Sequence, residues 1–282
     1  MSSYLKPISA IAKTIFLLVV LIIAVFPLVY IILASFKTNA EILTAGASIL
    51  PKKFVVNNYV QAWQLANFRL YTWNSLYMTF FIVIGSIITT TTLAYALQRG
   101  RFIGKKVIYT LMMSTMFISL GSSALYPQLQ VAKLMGIHTS LVGVIIIRVF
   151  GVHVTNVFIA MGYLKSISFE IDEAAKIDGC SFIRIYWNII LPLLKPLIAT
   201  IGLLSFRAAW NDYMLPMVFT LANPKKAPLI VGVVSLRNSG EAASSWNLML
   251  AGTTIALVPM LTVYLFLNRY FISGLTSGAV KG

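Results

Sequence analysis

Hydrophobic residues fall along the chain in six long runs, which are separated by shorter segments rich in polar and charged residues. The hydrocarbon core of a bilayer is about 30 Å thick, so a helix of about 20 predominantly apolar residues can cross it. Each run reaches that length. The pattern therefore predicts an all-α polytopic membrane protein with a single transmembrane domain over residues 1–282. The predicted transmembrane helices are 15–36, 73–97, 107–132, 140–164, 196–222 and 247–268.

The density of basic residues predicts which polar segments face the cytoplasm. Four bases lie within the nine residues Gln98–Lys106, whereas the segment 37–72 spreads four bases over 36 residues. Lysine and arginine are enriched in cytoplasmic loops. We therefore expect both termini to be cytoplasmic, and this orientation also places the polar segment 166–192 in the cytoplasm. The first run is too long for a signal-peptide core and is expected to remain as the first helix.

Composition excludes several classes of function. Hydrophobic residues make up 59% of the 282 residues and charged residues only 10%, which excludes a soluble globular protein. The net charge of +15 arises from bases scattered among loops, so we expect no nucleic-acid partner. The single cysteine, Cys180, excludes a disulfide scaffold, and His138 and His153 have no partner at metal-ligand spacing. The chain lacks a P-loop lysine motif, so we expect neither ATP binding nor catalysis.

The most informative polar segment is 166–192. Ser168 is placed to cap a helix with acids in its first turn, and Gly179 supplies the left-handed residue that ends many helices. A second short helix from about Ser181 is expected to stop before Pro192, because proline interrupts a helix. The alternative is a solvated amphipathic linker lying on the membrane surface. The second helix has an apolar face suited to a partner or to the chain's own transmembrane ends, formed by Phe182, Ile185, Tyr186 and Ile189.

The residue spacing in this segment resembles the EAA loop of permease subunits in ATP-binding-cassette importers. Glu173-Ala174-Ala175 is followed by Asp178-Gly179, with Leu191 and Pro192 further along. In that family the loop is a short cytoplasmic helix–turn–helix that docks into a groove on a separate ATPase subunit. The resemblance implies that this loop receives movement from the ATPases. The coupling residues it implies are Glu173, Ala174, Ala175, Asp178, Gly179, Leu191 and Pro192.

Beyond this loop the resemblance covers roughly residues 10–282 and narrows the family to carbohydrate-uptake permeases. It is carried by Ser35-Phe36-Lys37-Thr38, Asn58-Tyr59, Asn74-Ser75, Ala94-Tyr95-Ala96-Leu97 with Arg99 and Phe102, and Trp210-Asn211-Asp212-Tyr213 with Pro216. The glycine-rich tail Arg269–Gly282 is similar to that of the smaller six-helix permease of maltose-type pairs, whose C-terminus reaches the interface between the two ATPases. The tail contacts that this implies are Gly274, Leu275, Thr276 and Gly278.

The resemblance also implies partners in the bacterial cytoplasmic membrane. They are a second permease chain, two ATPase subunits that bind ATP and Mg, an extracytoplasmic substrate-binding protein, membrane lipid and a carbohydrate substrate. The chain itself then holds no cofactor or metal. A stand-alone ion-coupled carrier or channel is the alternative function, because charged residues lie inside the predicted helices. That alternative has no use for a docking loop combined with a glycine-rich cytoplasmic tail.

Charged residues inside the predicted helices are candidates for the translocation path. At a rise of about 1.5 Å per residue, Arg148 lies about 12 Å and Asp212 about 15 Å from the outer ends of their helices, so the two can pair if these helices adjoin. Arg207 lies about 22 Å deep, and no acid matches its depth. It faces a water-filled path, an acid of the second permease or an anionic substrate. Neutral and acidic oligosaccharides are therefore both open as substrates. The candidate path residues are Arg148, Arg207, Trp210, Asn211 and Asp212.

Overall fold

Helices account for the regular structure of this chain. The structure, a computed structural model, describes residues 5–44, 48–65, 67–118, 121–238 and 245–279, without the side chains of residues 5–12, 238 and 267–279. Within these ranges there is no β-strand, and the predicted all-α fold is confirmed. The α-helices are α1 Leu5–Ala34, α2 Asn39–Leu43, α3 Asn57–Leu65, α4 Phe68–Arg99, α5 Lys105–Thr115, α6 Leu125–Leu134, α7 Leu141–Phe150, α8 Val154–Leu164, α9 Phe169–Ile177, α10 Phe182–Ile185, α11 Leu191–Leu193, α12 Lys195–Trp210, α13 Met214–Thr220, α14 Leu229–Ser235 and α15 Trp246–Ala279.

Three helices are long and apolar enough to cross a membrane without interruption. They are Lys13–Ala34 within α1, the whole of α4, and Trp246–Phe266 within α15. These helices correspond to the first, second and sixth predicted runs. The backbone of α15 remains helical to Ala279, beyond the predicted end of the sixth run at Asn268.

Each of the other three predicted runs is interrupted, so the prediction of one continuous helix per run is wrong there. Run 107–132 contains α5, a 3₁₀ turn at Gly121–Ala124 and α6. Run 140–164 contains α7 and α8, whose axes differ by 45°. Run 196–222 contains α12, apart from its first residue, and α13, and three residues separate these two helices. By length and composition the described chain therefore has three spans, or up to five if each bent helix pair is one span.

Prolines explain two of these interruptions. Pro127 lies in the first turn of α6 and Pro216 in the first turn of α13. A proline has no N–H group, and the first turn of a helix is where that group is not needed, so a new helix begins just before each proline. Gly151 ends α7, and its N–H group donates to the carbonyl of Ile147 at 2.8 Å.

One compact unit of the chain contains Met1–Phe68 and Gly232–Leu257. Its polar centre is Asn58, which is buried at the start of α3. The Asn58 amide nitrogen donates to the carbonyls of Ser35 and Lys37, both at 2.8 Å, and its oxygen accepts from the amide of Asn247 at 2.9 Å. This one side chain therefore joins the end of α1, α3 and the start of α15.

The other unit contains Arg69–Val231 and Val258–Gly282, and it holds two hydrophobic cores. One core packs the end of α4 against α8, the segment 182–194 and α12. Its members with the least exposure include Leu164, Ile185, Ile190, Leu194 and Leu197. The second core packs α4 against α6, α7 and α13, around Met78, Val144, Leu215 and Phe219. The first core positions the segment 166–192, and the second core positions the helices that carry Arg148 and Asp212.

Replacing Asn58 by leucine is expected to destabilise the first unit. Asn58→Leu leaves the carbonyls of Ser35 and Lys37 and the Asn247 amide without their partner, and each unsatisfied buried polar group costs about 1–3 kcal/mol. The check is the thermal unfolding midpoint of the purified protein. The control is Asn57→Leu, because the Asn57 side chain is exposed and makes no hydrogen bond among the described residues. Equal midpoints for the two variants would contradict this role.

Candidate functional site

The loop between α8 and α12 begins with the helix predicted from the sequence. Helix α9 spans Phe169–Ile177, and the hydroxyl of Ser168 accepts a hydrogen bond from the N–H group of Glu170 at 3.2 Å. Glu170 and Asp172 lie in its first turn and Lys176 in its last turn. These charges complement the helix dipole, as expected.

Gly179 forms the turn after α9 in a left-handed conformation with φ of 78°. Its N–H group donates to the carbonyl of Lys176 at 3.0 Å, and the N–H of Cys180 donates to the carbonyl of Ala175 at 2.9 Å. This pair of hydrogen bonds is a Schellman motif. Apart from Gly179 itself and its chain neighbours, no atom of the described residues lies within 4 Å of the position that a Cβ at residue 179 would take, so backbone conformation rather than space favours glycine there.

The second helix of the loop does not stop before Pro192, contrary to the prediction. Ser181 caps α10, which passes into a π-helical segment, Tyr186–Ile190, and then into α11. The N–H of Leu191 donates to the carbonyl of Tyr186, five residues back. This wider turn makes room for the proline ring, which in an α-helix clashes with the carbonyl four residues back. The axis then bends by 81° into α12.

A buried ion pair connects α9 to the end of α4. The Nε atom of Arg99 lies 3.4 Å from Oδ2 of Asp172, and the two side chains are 2% and 4% exposed. The hydroxyl of Tyr95, one turn earlier in α4, donates to Oδ1 of Asp172 at 3.1 Å. Sequence reasoning placed Asp172 among the acids that complement the helix dipole, and Arg99 in the basic segment Gln98–Lys106 and in the family resemblance, but it did not pair them. The available signal was that Asp172 lies near the start of one predicted helix and Arg99 near the end of another, and that both lie next to apolar runs.

Arg99 makes three further contacts between the end of α8 and the start of α9. Its Nη2 atom donates to the carbonyls of Ile167 at 2.6 Å and Leu164 at 3.3 Å. Its guanidinium carbon lies 3.7 Å from the ring centroid of Phe169, which is a cation–π contact. The Nε atom of Arg99 makes no hydrogen bond to the described residues, so its attraction to Asp172 is an ion pair without hydrogen-bond geometry.

Tyr186 connects the π-helical segment to the same end of α4. Its hydroxyl lies 2.8 Å from the hydroxyl of Thr91 and accepts a hydrogen bond from Thr92 at 3.2 Å. The ring of Tyr95 stacks on Phe182 at 4.6 Å between centroids and lies 5.3 Å from the ring of Tyr186. The apolar face predicted for the second helix therefore packs on the chain's own helices.

The predicted coupling residues divide between an outer and an inner face of this loop. Glu173, Ala174, Asp178, Gly179 and Pro192 are exposed, Ala175 is buried and Leu191 is half-buried. Large apolar side chains lie exposed beside the first group, with Ile177 87% and Ile183 68% exposed. The loop therefore presents a mixed acidic and apolar surface that its own chain leaves uncovered.

A second ion pair joins α7 to the break before α13. The Nε atom of Arg148 donates to Oδ2 of Asp212 at 2.6 Å, so the pairing expected from the depths of the two residues is observed. Both residues line a cavity of about 570 Å³. Asn211 also lines it, whereas Arg207 and Trp210 do not.

The remaining predicted path residues lie on α12. Trp210 is buried and stacks on Phe206 with ring centroids 5.6 Å apart. The amide of Asn211 donates to the carbonyl of Arg207 at 2.9 Å. The Arg207 side chain is exposed, and no carboxylate of the described residues lies within 4.0 Å of it. The predicted tail contacts fall in the helical backbone of α15, but the side chains of Gly274, Leu275, Thr276 and Gly278 lie outside the described residues.

Comparison with known proteins identifies the family. A family model described as the inner membrane component of binding-protein-dependent transport systems matches residues 2–277. The chain belongs to this family. This family supplies transport components rather than enzymes, and membership favours a subunit of a larger importer over the stand-alone carrier that the sequence left open.

Its relatives include named sugar permeases. The permease protein AmyC of Thermoanaerobacterium thermosulfurigenes, from a probable starch degradation products transport system, is 34% identical over 256 residues, or 90% of this chain and 91% of that protein. The galactooligosaccharides transport system permease protein GanQ of Bacillus subtilis is 33% identical, covering 93% of this chain and 92% of that protein.

A solved structure shows the same fold. It is a bacterial ABC transporter involved in the import of the acidic polysaccharide alginate. One of its chains matches with a TM-score of 0.79 and 26% identity, covering 96% of this chain and 99% of that chain.

Removing the charge of Asp172 is expected to detach the loop of this permease from α4. Asp172→Asn leaves Arg99 buried without a counter-charge, and breaking a buried ion pair in this way costs about 3–5 kcal/mol. The check is the thermal unfolding midpoint of the purified permease, measured together with substrate transport. Glu170→Gln is the control, because Glu170 is exposed on the same helix. If Asp172→Asn unfolds and transports like Glu170→Gln, the anchoring role is wrong.

Proposed function

We propose that this chain is one of two transmembrane subunits of an ATP-binding-cassette importer that carries an oligosaccharide into the cytoplasm. Membership of the transport family and relatives named for starch products and galactooligosaccharides support this function. The observation that carries it is the exposed turn after α9, which is anchored through Asp172 to the end of a long membrane helix. Separate ATPase subunits supply the energy, and an extracytoplasmic binding protein delivers the substrate.

The proposed topology has six crossings, with both termini and the coupling loop in the cytoplasm. The crossings are α1, α4, α5 with α6, α7 with α8, α12 with α13, and α15. The support is the contact between Arg99 and Asp172, because it brings the loop to the same end of α4 as the basic segment Gln98–Lys106. Basic segments of this kind are retained in the cytoplasm, so the loop lies there too.

In this proposal the loop passes movement of the ATPases to α4, because it is held rigidly to the end of that helix. The exposed residues Glu173, Ala174 and Asp178, with the neighbouring Ile177, dock in a groove on an ATPase subunit. The inner face of the loop is held to α4 by Asp172 and by Tyr186, whose hydroxyl reaches Thr91. When ATP-driven closure of the ATPases moves the loop, the end of α4 moves with it, and the permease alternates between inward-open and outward-open states.

The glycine-rich tail is a second proposed contact with the ATPases. Gly274, Leu275, Thr276 and Gly278 reach the interface between the two ATPase subunits in this proposal. The support is the resemblance of the tail to that of the smaller permease of maltose-type pairs, together with the helical backbone that continues to Ala279.

The turn at Gly179 gives a direct test of coupling. Gly179→Val places a β-branched residue at positive φ, which costs about 1–2 kcal/mol and distorts the turn. We expect an assembled complex with little transport and weakened substrate-stimulated ATP hydrolysis. Gly179→Asn is the matched control, because asparagine tolerates the left-handed conformation. Wild-type uptake by the valine variant would exclude a coupling role for this turn.

The charge of the substrate is a separate question, raised by Arg207. This side chain is exposed on α12 and has no carboxylate within 4.0 Å among the described residues. A guanidinium at such a position matches the geometry of a carboxylate. The structural likeness to the alginate importer supports an acidic oligosaccharide, whereas the names of the two relatives support a neutral one.

Arg207→Met distinguishes these substrates. If Arg207 binds a substrate carboxylate, uptake of a uronate-containing oligosaccharide falls by about ten-fold, the equivalent of about 1.4 kcal/mol, while uptake of a neutral one changes little. Uptake of both sugars is measured side by side in cells expressing the importer. Arg69→Met controls for loss of a positive charge, since Arg69 is exposed at the start of α4. Equal loss for both sugars, or no loss, excludes a role in binding substrate charge.

A further inference from the structure

Three interruptions of the helices meet at one cavity in the second unit. Its wall includes the 3₁₀ turn at Gly121–Ala124, His153 in the break between α7 and α8, and Asn211–Tyr213 in the break between α12 and α13. Backbone that is not helical carries unpaired polar groups, and at membrane depth it is tolerated only inside protein or beside a water-filled space. Binding sites in transporters form at such discontinuous helices. The cavity therefore lies where the three helix interruptions come together.

The ion pair in this cavity leaves most of its hydrogen-bonding capacity unused. The Arg148 Nε atom and the Asp212 Oδ2 atom bond to each other. Among the described residues no hydrogen bond reaches Nη1 or Nη2 of Arg148 or Oδ1 of Asp212, and none of these atoms is sealed from solvent. The pair therefore presents N–H donors beside a free carboxylate acceptor. Adjacent donors and acceptors of this kind match the hydroxyl groups of a polyol, each of which both donates and accepts.

The rest of the cavity wall also offers groups that can donate and accept hydrogen bonds. The amide of Gln128 and the hydroxyl of Tyr213 are half-buried and make no hydrogen bond to the described part of the chain. Apolar side chains of Ile82, Leu125 and Met214 complete the wall. The volume of about 570 Å³ falls within the range of about 300–1,000 Å³ found for small-molecule sites.

We propose that this cavity is a binding site for an uncharged sugar unit of the transported oligosaccharide, with Arg148 and Asp212 as its specificity-determining pair. The proposal rests on the proposed importer function and deepens it. Because Asp212 neutralises Arg148, the pair has no net charge and attracts hydroxyl groups rather than a carboxylate. The two arginines therefore have different roles. Arg148 is neutralised by Asp212, whereas Arg207 has no carboxylate partner among the described residues.

A cysteine-protection experiment tests the site in the complete importer. Ser122 lines the cavity, whereas its neighbour Ser123 is exposed on the same 3₁₀ turn and does not line it. The native Cys180 is first replaced by serine, so that each introduced cysteine is the only one in this chain. Ser122→Cys and Ser123→Cys are then labelled with a small thiol reagent. The rate of labelling is measured without sugar, with a neutral trisaccharide (maltotriose or raffinose), and with trigalacturonate.

We expect at least one neutral trisaccharide to slow labelling of the Ser122→Cys protein several-fold, and trigalacturonate to slow it less. Neither should affect the Ser123→Cys protein. Adding Asp212→Asn leaves Arg148 without its counter-charge, so the preference should invert and trigalacturonate should protect best. The proposal is overturned if no neutral trisaccharide protects the Ser122→Cys protein. It is also overturned if the two cysteines are protected equally, or if the preference is unchanged after Asp212→Asn.

The double variant Arg148→Met, Asp212→Leu separates binding from folding. Replacing an ion pair by apolar residues of similar volume often leaves stability unchanged even where the pair is buried, so this complex should assemble and unfold at the same temperature as the wild type. Sugar protection of the Ser122→Cys site should disappear. Retained protection means that the pair is only structural and overturns the proposal. If the wild-type complex protects this site but imports no carbohydrate, the proposed function fails while the site stands.

Discussion

The charge of Arg99 must be compensated inside the protein, and the position of the loop between α8 and α12 depends on how this is done. An isolated buried charge costs several kcal/mol, so the guanidinium requires its partners to stay in place. These partners belong to α9, to the segment before it and to the last residue of α8: the Asp172 carboxylate, the Ile167 and Leu164 carbonyls and the Phe169 ring. Apolar surfaces can slide past one another, whereas these directional contacts resist sliding. The loop and the end of α4 therefore form one mechanical body.

Helix α12 connects this body to the cavity. It begins at Lys195, directly after the 81° bend that follows α11, and ends at Trp210, next to the break at Asn211–Tyr213. Its 16 residues correspond to about 24 Å of rigid helix. In the proposed coupling mechanism, α12 is the element through which a rotation of the loop reaches the cavity wall. The breaks around the cavity are the places where helix directions can change without loss of internal hydrogen bonds, as in hinge motions.

The sequence predicted those features that depend on local chemistry. The helix cap at Ser168, the left-handed Gly179 and the continuous helices α1, α4 and α15 follow from capping, glycine geometry and apolar length. The pair between Arg148 and Asp212 was expected on condition that their helices adjoin, because counting along each run gave the two residues similar depths.

Features that depend on three-dimensional packing were not predictable in the same way. The interruptions near Gly151 and Asp212 contain polar residues, but each is too short to divide its apolar run, so both runs look long enough for one helix. The π-helical turn makes room for Pro192 while Tyr186 and Ile190 are buried in the core, whereas the local rule for proline predicted only that the helix ends. Arg99 and Asp172 lie on separate helices, and only the fold brings them together.

The interrupted helices also constrain how the protein enters the membrane. Helices α7 and α8 have 10 and 11 residues, which gives each a length of only about 15–17 Å, about half of the hydrocarbon core. Neither is long enough to be inserted by itself, and the polar break between them is costly to expose to lipid. The two halves must therefore enter together and acquire protein neighbours during biogenesis. Helix α1 differs, because its segment Lys13–Ala34 is long and apolar enough to cross a membrane by itself.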